Sequence, residues 1–217
     1  LTVSSGTWRP PSPSVLASTD GSTTVVTWSL GTNTTGTAGT TTVNSYLYAL
    51  RGSNQQTFWA HNVATGNWNN PLDPADTGVT VANGGALASD GNRYVYALRG
   101  NTTKVFLRYD TQTGTWDDGG IADLPAAAAN VVAGGALVHL NGNVYAFVGG
   151  DSRQFWRYAV SGNTWPQMGD TPAGGTVKEG GSLATDGTNV YALRGDNTKV
   201  FWRYNVGANS WTVLAPI

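Results

Sequence analysis

Arginine is the side chain whose placement in this sequence is regular enough to suggest chemistry. Arg51, Arg99 and Arg194 each stand just before a glycine at the end of a Tyr-Ala-Leu run, and Val148 takes the same place after Tyr145-Ala146-Phe147. Planar guanidiniums gathered on one surface would bind carboxylates, phosphates or acidic sugars, and these three arginines are the candidate binding residues. The same repetition has a plainer account, in which each arginine crosses to a neighbouring element and bonds loop carbonyls or an aspartate such as Asp151 or Asp196. Repeated identity favours that account, because equivalent positions share equivalent neighbours. Arg108, Arg157 and Arg203 form a second register, with Ala60 as its exception, and read as solvated or bridging residues.

Other chemistry has little to draw on. The two histidines, His61 and His139, lie in unrelated registers, so a histidine triad or metal site lacks partners. His139 falls on an innermost strand, where it would border a central channel or be satisfied structurally. Asp117-Asp118 and Asp73 with Asp76 offer paired carboxylates for calcium or acid–base work. No EF-hand spacing or second acidic cluster supports them, and solvated loop carboxylates are the better reading. Cysteine is absent, which removes disulfides and thiolate metal sites. The glycine pairs precede strands, never helices, so no phosphate-binding loop is expected. No catalytic residue, metal or cofactor is expected, and the chain reads as a non-enzyme.

What must position these side chains is a repeat. Residues 134–165 read as four short strands: 136–140, 144–148, 154–160 and a fourth opening at Thr164-Trp165. Asn141-Gly142 between two alternating apolar runs is a strong hairpin signal, because both turn positions need positive φ. The tyrosine of the second strand recurs at Tyr48, Tyr96, Tyr145 and Tyr191, spaced 48, 49 and 46 residues apart. The tryptophan of the fourth strand recurs at Trp68, Trp116, Trp165 and Trp211 with the same three spacings. Two independent marks that keep one period define the repeat, and a four-stranded unit of about 40–50 residues is the size of a propeller blade. Phe58-Trp59, Phe106-Leu107, Phe155-Trp156 and Phe201-Trp202 put large apolar side chains on both faces of the third strand. Both faces must therefore be covered, as in stacked blades.

On these marks the chain resembles the kelch family, whose second strand ends in two glycines and is followed by a spaced tyrosine and tryptophan. Residues 144–150 with Tyr158 and Trp165 match closely, while Arg51-Gly52, Arg99-Gly100 and Arg194-Gly195 replace the glycine pair elsewhere. The resemblance covers about residues 37–217. It implies an all-β fold, a β-propeller of four-stranded antiparallel blades. It leaves function open, since such propellers serve as enzymes, lectins, scaffolds and adaptors.

The whole chain is expected to form one domain. Residues 1–36 are irregular, and the repeats are 37–83, 84–133, 134–179 and 180–217. Residues 1–8 resemble an outer strand, and residues 9–13 are a proline-rich linker unable to form a helix or central strand. Residues 15–30 look like a hairpin that begins a degenerate fifth blade, followed by a Thr/Gly/Asn tract over 31–39. Because the last repeat already has an outer strand, residues 1–8 are a spare strand whose free edge would capture another sheet. Such head-to-tail capture would build a filament.

The 217 residues are only 12% charged, with a net charge of −1. No basic or acidic run points to nucleic acid or an anionic membrane, and no apolar run is long enough to span a bilayer. A Thr/Asn/Gly-rich, lysine-poor composition, and a first residue Leu1 as a trimmed signal peptide would leave, point to an extracellular, secreted protein. Asn33-Thr34-Thr35 and Asn101-Thr102-Thr103 fit the glycosylation sequon, although chance matches are expected in such a composition. The functional expectation is a non-catalytic extracellular binding or assembly module whose partner is another protein or copies of itself. Its alternatives are a filament subunit joined through the spare strand and a lectin-like protein binding a glycan on the arginine-lined rim.

Overall fold

The computed structural model describes residues 46–69, 80–117 and 119–217, together with the backbone of two strands nearer the N-terminus, β1 (Leu16–Ala17) and β2 (Thr24–Trp28). The spare strand at 1–8, the proline-rich linker, the 31–39 tract, the Asn33 sequon, Asp73, Asp76 and Asp118 lie outside the described residues.

Among the described residues every element is a strand, and the strands fall into four antiparallel sheets. The first holds β3 (Tyr46–Arg51), β4 (Phe58–Asn62) and β5 (Asn67–Asn69). The second is β6 (Ala86–Ser89), β7 (Tyr94–Leu98), β8 (Phe106–Asp110) and β9 (Thr115–Asp117). The third is β10 (Gly135–Leu140), β11 (Asn143–Val148) and β12 (Phe155–Ala159). The fourth is β13 (Ser182–Thr185), β14 (Asn189–Leu193), β15 (Phe201–Asn205) and β16 (Ser210–Val213). The inner strands β2, β6, β10 and β13 lie side by side in that order, so the sheets radiate as blades.

Two expectations need correcting. The N-terminal hairpin does not start a fifth blade: β1 pairs with β2, and β2 pairs with β3 from Thr24↔Arg51 to Trp28↔Leu47. It therefore supplies the inner edge of the first blade, from outside the 37–83 repeat. The third blade's fourth strand is reduced to the bridges Trp156↔Gln167 and Ala159↔Thr164. Pro166 lies between them, and with no N–H to donate it interrupts the ladder at an outer edge where that is tolerated.

Strand alternation gives each blade two apolar faces. Three clusters fill the gaps between the blades. In each gap a stacked Tyr–Phe pair on one blade meets a Tyr–Trp pair on the next. Tyr96 and Phe106 stack at 5.6 Å, and Phe106 then meets Tyr158 at 4.9 Å and Trp165 at 4.8 Å, edge to face. Phe58 with Tyr109 and Trp116, and Phe155 with Tyr204 and Trp211, repeat this arrangement. Edge-to-face contact places positive ring edges on negative ring faces and adds about 0.5–1.5 kcal/mol per pair beyond area burial. Wherever two of these blades meet, the periodic tyrosine and tryptophan of the sequence are thus part of the contact.

The outer hairpins of the third and fourth blades are clasped to the connection entering their blade. Trp165 Nε1 donates to the Ala122 carbonyl at 2.7 Å, and Asn163 Oδ1 accepts from Ala122 N–H at 2.6 Å and from the Tyr158 hydroxyl at 2.8 Å. Trp211, Asn209 and Tyr204 do the same around Gly169.

Candidate functional site

The loops following each second strand and the connections between blades meet on one rim. Thr103 bridges Val131, Ser152 bridges Val177 and Gln55 bridges Val81, each joining the two kinds of loop. Asn101 N–H donates to the Asn83 carbonyl, Gly150 N–H to Ala133 and Asp196 N–H to Glu179. This rim carries the three candidate arginines.

The structure places Arg99 and Arg194 against loop carbonyls. Arg99 Nε donates to the Thr80 carbonyl at 2.9 Å, and Arg194 Nε donates to Thr176 at 3.0 Å. Each carbonyl belongs to the connection entering the arginine's own blade. Arg194 also lies 3.9 Å from the Asp196 carboxylate, whose other neighbour is Lys178 at 3.0 Å. Arg51 is exposed at the end of β3. Where Val148 replaces the arginine, Arg153 reaches the Thr171 carbonyl from the following loop with Nε at 2.8 Å. One hydrogen bond nets about 0.5–1.5 kcal/mol, and a half-buried carbonyl left unpaired raises the cost. Arg99→Ala is therefore expected to lose about 1–2 kcal/mol, a difference of several degrees in the thermal midpoint. An unmoved midpoint would remove the loop-holding role.

The glycine pair of the kelch resemblance extends one residue beyond the Arg-Gly steps of the other blades. Gly149 is aligned with Gly100 and Gly195, with φ of 70°, 66° and 80°. Gly150 is matched by Ser53, Asn101 and Asp196, which hold φ between 54° and 59°. The left-handed conformation is kept even where glycine is not, and asparagine and aspartate tolerate it best.

Several other charged groups are paired locally, while Arg157 and Arg203 of the second register keep a buried Nε without a hydrogen-bond partner among the described residues. Arg108 pairs with Asp117 at 2.6 Å and lies 4.7 Å over the Tyr94 ring. Arg93 holds Asp110, and that hydrogen bond is the main cause that keeps the carboxyl below its usual range. Asp186, bonded first by the Asn189 N–H and then by Thr188 N–H and the Tyr191 hydroxyl, is pushed down to about 2. His61 packs on Trp68 at 4.8 Å. His139 is half-buried on β10, where burial lowers its pKa and nearby Asp90 partly offsets that. Among the described residues no three His, Asp or Glu side chains gather as a metal group.

Sequence reasoning missed the residues that shape a cavity. A cleft of about 360 Å³ opens on the rim between the first three blades. Ser53, Asn54, Asn83, Asn101 and Thr102 supply its amides and hydroxyls, over Ala82, Val132 and Ala133. Ser53, Asn54, Asn101 and Thr102 all have positive φ, and Asp196 with Asn197 repeat the pair in the fourth blade. The conformation therefore belongs to the blade, and what distinguishes the cleft is its polar, uncharged lining. The paired Ser-Asn, Asn-Thr and Asp-Asn steps after each Arg-Gly were the available signal.

No family model and no curated protein sequence matches the chain. Solved structures do. YjhT, a kelch-repeat propeller protein, aligns with TM-score 0.50 at 14% identity, over 62% of this chain and 52% of its own. The WD40 repeats of RRP9 align with TM-score 0.51 at 12% identity, over 78% of this chain and 47% of theirs. U3-55K aligns with TM-score 0.50 at 12% identity, over 78% and 48%. These likenesses show the fold, a β-propeller. The chain spans about half the length of the propellers it matches.

Proposed function

We propose that this chain is a non-catalytic, extracellular β-propeller serving as a binding or assembly module, with the rim as its ligand face. The observation that carries the binding half is the rim cleft lined by Asn54, Asn83, Asn101, Ser53 and Thr102. Neutral amides and hydroxyls in a concave site suit a ligand with many hydroxyls, and a glycan is the chemical class they fit best. This shifts the lectin-like reading from charge to neutral hydrogen bonding, because Arg99 and Arg194 are occupied by loop carbonyls. The extracellular assignment is supported by the sparse charge, 12% of residues, in a Thr/Asn/Gly-rich chain. A protein partner on the same rim is the competing reading.

A glycan array followed by calorimetry on the best binder tests the proposal. Asn101→Ala and Asn54→Ala are expected to weaken binding at least tenfold, since each bonding amide in a site contributes on the order of 1.4 kcal/mol. Thermal midpoints should stay within a few degrees. An array on which nothing binds above background rejects the glycan reading, and retained affinity in both variants moves the site off this cleft.

A further inference from the structure

Among the described residues the blade-to-blade contact is made three times, and both halves of a fourth are present without meeting. On the fourth blade Tyr191 and Phe201 stack at 5.8 Å with an interplanar angle of 21°. Tyr145 and Phe155 stack at 5.6 Å and 20° in the third blade, so the geometry is the same. Phe155 is fully buried beneath Tyr204 and Trp211, whereas Phe201 is half-buried and, among the described residues, meets no aromatic ring but Tyr191. Ser182, Ala184 and Leu193 on the same face are likewise half-buried, so the whole face lacks the cover its counterparts have.

The opposite end of the arc shows the complementary half. His61 aligns with Tyr109, Tyr158 and Tyr204, and Trp68 aligns with the gap tryptophans. The His61 and Trp68 rings lie 4.8 Å apart at 58°, against 5.0 Å and 50° for Tyr204 and Trp211. Yet Trp68 is 54% exposed, while Trp165 is 8% exposed. Large exposed aromatics beside a preformed apolar face mark an interaction surface. The inner strands run β2, β6, β10, β13, and no contact of β13 with β2 comparable to those between successive blades closes the ring.

We propose that a second copy of this chain completes the propeller: the Tyr191–Phe201 face of one copy takes the His61–Trp68 face of the other. The two faces reproduce the two sides of a contact this chain already makes, which is why the occupant is the chain itself. The contact is head-to-tail, and such contacts form rings when the rotation closes. Two copies of four blades give eight, the upper end of the usual range of about 4–8 blades. The inference deepens the assembly half of the proposed function and rests on it. It does not involve the rim cleft.

Sedimentation of the full chain over a wide concentration range, with the Phe201→Glu and Trp68→Lys variants, tests it. The wild type is expected at about twice the 22.7 kDa chain mass. Each variant alone should be monomeric, with the β-sheet spectrum and cooperative melt of the wild type. An equimolar mixture of the two should regain a dimer, since the intact fourth blade of Trp68→Lys can take the intact first blade of Phe201→Glu. A wild type that stays monomeric at the highest concentration overturns the proposal, as when residues 1–45 or a different protein cover these faces. A dimer that persists in both variants overturns it too. Asn101→Ala should leave the mass unchanged, so loss of glycan binding and loss of assembly are read separately.

Discussion

Replacing Phe106 by alanine is expected to cost about 3–5 kcal/mol, the range for truncating a fully buried aromatic side chain. Its ring is completely enclosed, stacked on Tyr96 and met edge-on by Tyr158 and Trp165. The substitution deletes a contact between two blades rather than within one. In a repeat architecture stability is a sum of unit terms and neighbour terms, and Phe106 sits in a neighbour term. Two readouts should therefore move together. The thermal midpoint should fall by roughly 6–20 °C, at 2–4 °C per kcal/mol for a chain of this size. Amide exchange should rise most along β8 and β12, the strands that flank the gap. A midpoint within a degree of wild type would mean that the aromatic contacts do not couple the blades, and the argument for the unpaired end faces would go with them.

Why so much of the fold was legible is plain from the same residues. Tyr48, Tyr96, Tyr145 and Tyr191 keep their period because each stacks on the phenylalanine of the next strand in its blade, and a repeated contact leaves a repeated letter. The turns were legible for a local reason: Asn141-Gly142 holds φ of 50° and 72°, as its sequence demands. The first blade's inner strand was legible as one arm of the hairpin over 15–30, but its pairing with β3 was not. In the second, third and fourth blades the inner hairpin turns tightly, as between Leu140 and Asn143, whereas residues 29–45 separate β2 from β3. Loop closure cost grows only slowly with length, so such an insertion is tolerated while it hides the pairing from a fixed-period alignment.

The end effect was also invisible. Trp68 and Trp165 occupy one position in the repeat, and only the presence or absence of a neighbouring blade separates an exposed tryptophan from a buried one. The arginine register was half legible. Its spacing correctly announced a shared environment for Arg99 and Arg194, but whether that environment was a ligand or a carbonyl depended on where the Thr80 and Thr176 carbonyls pointed. The cleft residues were missed because Asn and Ser after Arg-Gly read as turn chemistry, which they also are.

Gly149→Ala is expected to be nearly as damaging as loss of a core aromatic, and for an unrelated reason. At φ of 70° an L-residue puts its Cβ near the following carbonyl, at roughly 1–2 kcal/mol. A Cβ on Gly149 would also lie 2.2 Å from the Ala133 carbonyl oxygen in the connection entering the blade and 2.7 Å from the nitrogen of Gly135, the first residue of β10, both backbone atoms. Backbone cannot rotate away as a side chain can, so the rim loops must separate, adding about 1–3 kcal/mol of overpacking. The expected total is about 2–5 kcal/mol. Gly142→Ala separates the two contributions, because Gly142 has φ of 72° with nothing within 4 Å of its would-be Cβ. That substitution should lose only the conformational part, about 1–2 kcal/mol. Urea denaturation of both variants measures the difference, which is the energy of the close approach between loop and connection. Gly100 and Gly195 make the same approach, with a would-be Cβ 2.3 Å from the Asn83 and Glu179 carbonyls, so their alanine variants should follow Gly149. Equal losses at positions 142 and 149 would show that the rim loops have room to yield, and the cleft walled by those loops would then lack a fixed shape.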